Sequence, residues 1–555
     1  MKFTSRCAPD LTPLASLPGW LSALLRSRGV DTDEKARRFL DPSLSDLCDP
    51  FLLEGMDTAV RLIRNALDAG DRIMIFGDYD ADGVCATAIL LETLTELRAQ
   101  VSFRLPDRRK DGYGLNEAAI REISEKARLL ITVDCGISNR AEVALAKSLG
   151  LTVIVTDHHQ LPEELPAADA VLNPLLGNYP CPYLCGAGVA LKLCQALQGN
   201  AGLEKRLDLA AIATVADVVP LLEENRVIVR EGLKRIGATA RPGLRALLEL
   251  SGTSAPLQAD SLAFRLGPRL NAAGRLGDAA VAVRLLLTGI PEKGYAAAKQ
   301  LEELNRLRQS QEREITSAAV RMIAEDPSLR EDRLLLVAGE GWNPGLIGLA
   351  AGRLCEKYYR PAIVLSLPED GGPAVGSCRS IPGVHIFNLL RDCGDLLLRF
   401  GGHAQAAGLS VARENIPALR ERLSRMLAET CGEDVFIRRC EYDLELPFGN
   451  WTPETLAQLD LLEPTGCGNP PPVFLLSGAS VQTMRPVGRD QSHLQLSLLT
   501  PENTLLRGIA FSMGSEAEKD YLDIDCLYRP VRNAFNGRVS IEAQITALRP
   551  SSPLP

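Results

Sequence analysis

The chain is poor in aromatic residues, at 5%, which argues against a long platform for stacking bases. No run approaches the roughly 18 apolar residues of a membrane span. Pro9, Asp10 and Pro13 interrupt the apolar core that a signal peptide would need, so a cytoplasmic protein is expected. The 14 cysteines include no Cys-x-x-Cys pair. Cys181 and Cys185 come nearest, with no second pair or spaced histidines, so free thiols are expected in place of a disulfide framework or a thiolate zinc site. A formal net charge of -9 argues against nucleic-acid binding by bulk charge, yet leaves room for a locally basic groove. Histidine is scarce, with five in the chain, and two of the five are adjacent.

What is present is enough apolar sequence for several cores. At 555 residues the chain exceeds one domain, and length alone suggests about three or four. Its most informative stretch is 73–90, IMIFGDYDADGVCATAIL. The apolar run 73–76, bounded by Gly77, suits a strand buried on both faces of a parallel sheet. Gly83 opens a segment, 84–97, whose Ala and Leu content and lack of Pro predict a helix. Asp78, Asp80 and Asp82 therefore lie on a strand-to-helix turn at the carboxyl end of a strand, where open α/β sheets bind ligands. The Asp-x-Asp-x-Asp-Gly pattern also begins a calcium EF-hand loop. That reading fails because Ile89 stands where a bidentate Glu is required and a strand, not a helix, precedes it.

Acidic residues in one solvated turn would mean little, but the pattern recurs. The apolar run 129–133 ends in Asp134, and 151–156 ends in Asp157, His158 and His159. Three buried-type strands thus each deliver metal-capable groups to one edge. Adjacent histidines on a turn cannot point the same way, so one can ligate a metal while the other faces substrate. Asp217 sits in an apolar stretch, ATVADVVPL, where an unpaired carboxylate is costly to bury and a cation or hydrogen-bond donor is expected. Hard oxygen donors with one or two imidazoles suit Mn²⁺ or Mg²⁺, and two such ions bridged by a carboxylate are a standard device for phosphoester hydrolysis.

Elsewhere the candidates are basic. The strand predicted at 101–105 runs into a loop with Arg108, Arg109 and Lys110, a surface turn or a phosphate contact. Segment 262–275 carries Arg265, Arg269 and Arg275 near Asn271. Residues 292–323 predict one long helix. Strands are expected at 334–338 and 362–367, followed by Ser377, Arg379 and Ser380, and by Gly401-Gly402-His403. Past about 435, short strands at 481–484, 493–498, 506–511 and 539–548 suit a small β-barrel.

The ordered series GDYDADG, TVDCGIS, TDHH, TVADVVPL, GPRLNAAGR, GSCRSIPG, FGGHAQAAG and EPTGCGNPPPVF resembles the bacterial RecJ family of the DHH phosphoesterase superfamily over nearly the whole chain. The fold class implied is α/β: a parallel-sheet catalytic lobe, a long connecting helix, a smaller α/β DHH-associated lobe and a C-terminal OB-fold barrel. The corresponding segments are 1–50, 51–225 (DHH), 226–330 (helical connector), 331–432 (DHH-associated) and 433–555 (OB). The resemblance implies a single-strand-specific 5′ to 3′ DNA exonuclease that releases 5′ mononucleotides with Mn²⁺ or Mg²⁺ and serves DNA repair and recombination. It implies that Asp82, Asp134, His158 and Asp217 hold one ion and Asp80 with Asp134 the other, supported by Asp78. His159 would face the phosphate and Asp157 would orient its neighbours. Arg109, Arg269, Asn271, Arg275, Ser377, Arg379, Ser380 and His403 would contact DNA, with the two lobes forming a groove. Single-stranded DNA with a 5′ end, single-strand-binding protein and a helicase are the implied partners of a monomer. Thr465 and Gln495 depart from the Phe and Lys usual in this family, which bears on the barrel's DNA contacts. Two rival readings are a DHH phosphoesterase for short oligonucleotides or cyclic dinucleotides, and a non-catalytic single-strand-binding scaffold.

Overall fold

The computed structural model describes residues 1–7, 10–14, 16–107, 114–535 and 538–551. They divide into two compact units, one of Phe3–Gly274, Asp278–Leu301 and Cys440–Pro555, the other of Met1–Lys2, Arg275–Gly277 and Glu302–Arg439. Arg109 lies outside the described residues.

The first unit is built on a parallel sheet whose strands lie in the order Gln100–Arg104, Arg72–Gly77, Leu129–Val133, Thr152–Thr156, Ala170–Leu172. Register aligns the strand ends. Gly77 pairs with Val133 and Val133 with Thr156, so three neighbouring strands end level and the residues after them, Asp78, Asp134 and Asp157, start from one line. Alternation along each strand splits the core. Met74, Phe76, Leu130, Val153 and Val155 pack with helices Glu117–Lys126 and Arg140–Ser148. The fifth strand is three residues long, too short to show a periodicity in the sequence.

Helix Ala81–Glu96 begins two residues before Gly83, where the sequence suggests a start. Asp80 causes this: its Oδ1 accepts the Asp82 and Gly83 N–H groups, both at 3.0 Å, and so caps the first turn. The helix is apolar nearly all round because it is packed against Gly186–Glu204 and Leu207–Ala216 as well as the sheet. Each buried Val, Ile or Leu along it contributes about 1.5–3 kcal/mol.

The same unit contains the barrel. Strands Phe474–Val487, His493–Leu499, Leu505–Ala510, Arg538–Pro550 and Asp523–Phe535 pair in that order, and the first pairs again with the last to close the cylinder. Sequence pattern does not show Asp523–Phe535, where Asp523, Asp525, Arg529, Pro530 and Arg532 mask the alternation, and it shows only a fragment of the first strand. Helices Gly19–Arg26 and Asp33–Leu40, in a segment with no visible chemistry, complete the barrel's core: Leu21, Leu24 and Leu25 pack with Phe448, Trp451 and Phe474. Arg226, buried, ties these parts to the parallel-sheet region by donating to the carbonyls of Phe39, Leu461, Leu462, Glu463 and Pro464. Thr465 is buried beside that junction and donates to Glu463, whereas Gln495 is exposed and accepts from Arg485.

The second unit has a mixed sheet, Leu397–Gly402, Ala406–Val411, Ala374–Arg379, Ala362–Leu367, Leu335–Glu340, in which only the last two strands are parallel. Its core takes in helices Ile347–Tyr358 and Ile416–Thr430 together with Ile315, Ala319 and Ile323. Those three residues come from the end of Pro291–Glu325, one uninterrupted helix as expected. No described helix is long and apolar enough to cross a membrane.

Candidate metal centre

The three strand ends and the end of helix Leu207–Ala216 bring their acidic residues together. Ligand atoms of Asp82, His158 and Asp217 lie within 4.8 Å of one another, as do those of Asp78, Asp80 and Asp134, and those of Asp134, His158 and His159. Asp134 and His158 each belong to two of these groups. Nε2 of His158 stands 3.1 Å from Asp134, 3.6 Å from Asp217 and 3.7 Å from Asp82.

Backbone N–H groups hold Asp80, Asp82 and Asp157. Asp82 accepts the N–H groups of Gly186 and Ala187 at 2.6 and 2.7 Å, which places a carboxylate at the amino end of helix Gly186–Glu204. Gly186 is required for that approach, since a Cβ there would fall 2.6 Å from Cβ of Asp134. Asp134 itself has φ of 60°, a left-handed conformation that Asp tolerates better than most residues and that is often found at functional sites. Asp157 is buried and accepts from the N–H groups of Ile137, His158 and His159, and Nδ1 of His159 lies 2.7 Å from it. The rings of the adjacent histidines have different partners, but they lie side by side with centroids 4.5 Å apart, in place of the divergence expected from the sequence.

Electrostatics shows the strain of this crowding. Burial pushes Asp134 well above the usual carboxylate range, and the neighbouring charges of Asp82, Asp80, Asp78 and Asp217 push it further. Burial and then Asp82 raise Asp80. Burial, followed by Asp82 and Asp80, takes Asp217 up to about 8. Burial lowers His158, keeping Nε2 available as an electron-pair donor. For His159 burial is outweighed by the hydrogen bond and charge of Asp157, and its pKa rises to about 9. Burial acts to raise Asp157 as well, but the bonds and charge from His159 hold it below its ordinary value.

A divalent cation fits these residues. Oδ1 of Asp134 is buried, accepts no hydrogen bond among the described residues and faces Nε2 of a histidine that burial keeps neutral. A buried carboxylate oxygen set against an imidazole nitrogen, amid carboxylates that repel, is stabilised by a cation. Oxygen donors with one imidazole match Mn²⁺ or Mg²⁺.

The remaining candidates separate. Asn271, on helix Gly267–Leu276, accepts the Ala81 N–H at 2.7 Å and so supports the aspartate turn. Gly274 on the same helix lies against that turn, where a Cβ would meet the Tyr79 carbonyl at 2.3 Å. Arg269 donates to the carbonyl of Arg265, and Arg275 to that of Gly345. In the second unit Ser377 and Arg379 share one face of their strand, with Nη1 of Arg379 3.3 Å from Oγ of Ser377. Gly348, in the first turn of helix Ile347–Tyr358, leaves the space, since a Cβ there would lie 2.8 Å from Oγ of Ser377 and 3.3 Å from Nη2 of Arg379. A helix amino end with a hydroxyl and a guanidinium suits a phosphate. Ser380 spends its hydroxyl on the Val384 carbonyl. His403 is exposed in the hairpin beyond Gly402, its N–H on Ala406, which pairs with Arg379. The Gly186 and Ala187 amides do not stand out in the sequence; the Gly-Ala-Gly opening of their helix is the available sign.

Family models give the ancestry. The N-terminal domain of the DHH family matches 72–216, the DHHA1 domain 331–429 and the RecJ OB domain 442–547. The single-stranded-DNA-specific exonuclease RecJ of Bacillus subtilis is 42% identical over 92% of this chain, which spans 65% of that protein's length. The protein of the same name from Dickeya dadantii is 36% identical over 97% of this chain and 98% of its own. The crystal structure of RecJ with Mn²⁺ from Thermus thermophilus superposes with a TM-score of 0.85 at 33% identity, over 100% of this chain and 80% of that one. With relatives this similar over almost the whole of this chain and the DHH aspartates and histidines gathered at one sheet edge, the chain belongs to the RecJ family.

Proposed function

We propose that the protein is an exonuclease specific for single-stranded DNA, which hydrolyses phosphodiesters from the 5′ end and releases 5′ mononucleotides with Mn²⁺ or Mg²⁺. The observation that carries this reading is the pair of ligand groups, Asp82–His158–Asp217 and Asp78–Asp80–Asp134, joined by the contact between His158 and Asp134. When bound, two such ions generate a hydroxide nucleophile near neutral pH and offset charge on the phosphoryl oxygens.

The side chains take distinct parts. Asp82, Asp134, His158 and Asp217 hold one ion. Asp80 and Asp134 hold the second, with Asp78 beside them. His159, its ring held by Asp157 through Nδ1, faces the scissile phosphate. Asp157 fixes that ring and the backbone of both histidines. Asn271 keeps the aspartate turn in register. Ser377 and Arg379 bind a phosphate, and Arg269, Arg275 and His403 supply further DNA contacts. Residues 51–225 are the catalytic domain, 226–330 a helical connector, 331–432 the DHH-associated domain and 433–555 the OB domain, in keeping with the matched models. The enzyme works as a monomer in the cytoplasm, in DNA repair and recombination. Where the DNA is duplex, a helicase is the partner that would expose single strands, and single-strand-binding protein is the natural neighbour of such a substrate.

The test is incubation with Mn²⁺ and a 3′-labelled, 5′-phosphorylated single strand, beside a blunt duplex and a dinucleotide. Stepwise loss from the 5′ end with the duplex intact is expected. Cleavage of the dinucleotide alone would move the protein to the short-substrate phosphoesterases, and binding without cleavage would make it a scaffold.

A further inference from the structure

Two exposed apolar side chains lie at or beside the end of the helix that leads to Asp217 and take no part in the chemistry described. Phe264 leaves 75% of its surface in solvent and Val218 68%, in a chain with few aromatics. Val218 follows Asp217 directly. It occupies the position just past helix Leu207–Ala216 with φ of 59°, where glycine is usual and a β-branched residue is strained. The strain is imposed by the surroundings: the backbone N–H of Asp217 donates to Ala213, that of Val218 to Val215 and that of Leu221 to Cys467. Asp217 is thereby turned into the cluster while Val218 is turned out.

Phe264 lies in the π-helical turn Leu262–Leu266, whose Leu262 and Leu266 are buried; such turns recur at functional sites. One turn later, Gly267 packs on the end of the Asp217 helix, a Cβ there falling 3.1 Å from Cβ of Ala216. Phe264 thus stands about one helical turn from the residues that carry Asp217 and Val218. Arg269, two residues past Gly267, brings a cation to the same helix.

We propose that Phe264 and Val218 form an apolar ledge on which the unpaired base of a nucleotide adjoining the scissile phosphate packs. This rests on the exonuclease reading. A flat ring accepts any base, and an unpaired base is free to turn onto it, so the ledge takes unpaired bases of any sequence. A phosphate gains nothing from it and a sugar offers less flat surface than a base does, which makes the base the occupant.

The test uses Phe264→Ala and Val218→Gly with single strands carrying one abasic residue at each of the first four positions from the attacked end. Phe264→Ala is expected to lower kcat/KM about ten-fold on the intact strand. One abasic position should lower the wild-type rate by a similar factor, and on that substrate Phe264→Ala should cost nothing more. Val218→Gly should lose about two- to three-fold without any fall in melting temperature, because glycine relieves the left-handed backbone. Intact-strand rates within about two-fold of wild type for both variants, or a Phe264→Ala loss equal on every abasic strand, would overturn the ledge alone. Wild-type protein that cut none of the strands would overturn the exonuclease reading and the ledge with it.

Discussion

The two units use a sheet and a helix amino end to build sites of opposite charge. In the first, the amino end of Gly186–Glu204 is taken by a carboxylate of the protein itself, Asp82, and further acids crowd beside it until Asp134 and Asp217 are held far above their ordinary titration range. In the second, the amino end of Ile347–Tyr358 faces Ser377 and Arg379 across a space that Gly348 leaves. One arrangement calls for a cation and the other for an anion. The partial positive charge of a helix start is common to both, and what the sheet presents to it decides the ligand.

The comparison can be broken most sharply at Asp134. Asp134→Asn keeps the shape and the tolerance of a left-handed backbone while removing the charge shared by two ligand groups. Hydrolysis should fall by about three orders of magnitude or more. The metal-free protein should melt no lower than wild type, since a repelled charge is gone. Stabilisation by Mn²⁺, about 2.7 kcal/mol at a hundred times Kd for one site, should vanish in the same melting experiment. Unchanged activity would remove the bridging role.

Gly186→Ala addresses the same site through backbone. Alanine suits a helix better than glycine by about 1 kcal/mol, but its Cβ meets Asp134 and Asp82 must shift. Activity should fall about ten- to a hundred-fold with weaker binding of Mn²⁺ by titration. A more stable protein with full activity would show that the amide contacts to Asp82 are incidental.

Arg379→Ala tests the second site. Relative use of 5′-phosphorylated over 5′-hydroxyl strands should drop about ten-fold in KM, since a charged hydrogen bond is worth about 1.5–3 kcal/mol. Equal loss on both ends would mark a general backbone contact. The smallest effect is expected at Gly348→Ala, whose methyl encroaches on Ser377 and Arg379: about two- to five-fold on phosphorylated ends alone, read from the same rates.

How much of this is legible in the sequence depends on distance along the chain. The aspartate turn, Asp134 and the histidine pair each follow a short apolar strand, so local pattern is enough to place them at one edge. Asp217 is visible as an acid in an apolar stretch, but its role stays open there, because nothing in its own segment says what it meets. Asn271 looks like a phosphate contact among arginines, whereas its side chain accepts from Ala81, 190 positions away. Ser377 and Arg379 are suggested by glycine and serine content, and only the packing of Gly348 shows why the space exists. The barrel strand Asp523–Phe535 escapes notice because its polar and proline residues hide the alternation.

The sequence by itself determined the elements around the site and their chemistry: the strands that precede the acidic turns, the turns themselves, the long helix and the hard-donor character of the site. Hydrophobic periodicity and turn composition are local, and each can be read within one segment. Tertiary structure alone decided the register that brings Asp78, Asp134 and Asp157 level, the helix start that claims Asp82, the left-handed Asp134 and Val218, and the packing of residues 19–40 into a barrel that begins more than four hundred positions later. Those outcomes depend on which buried surfaces meet, and that is settled by the folding of the whole chain.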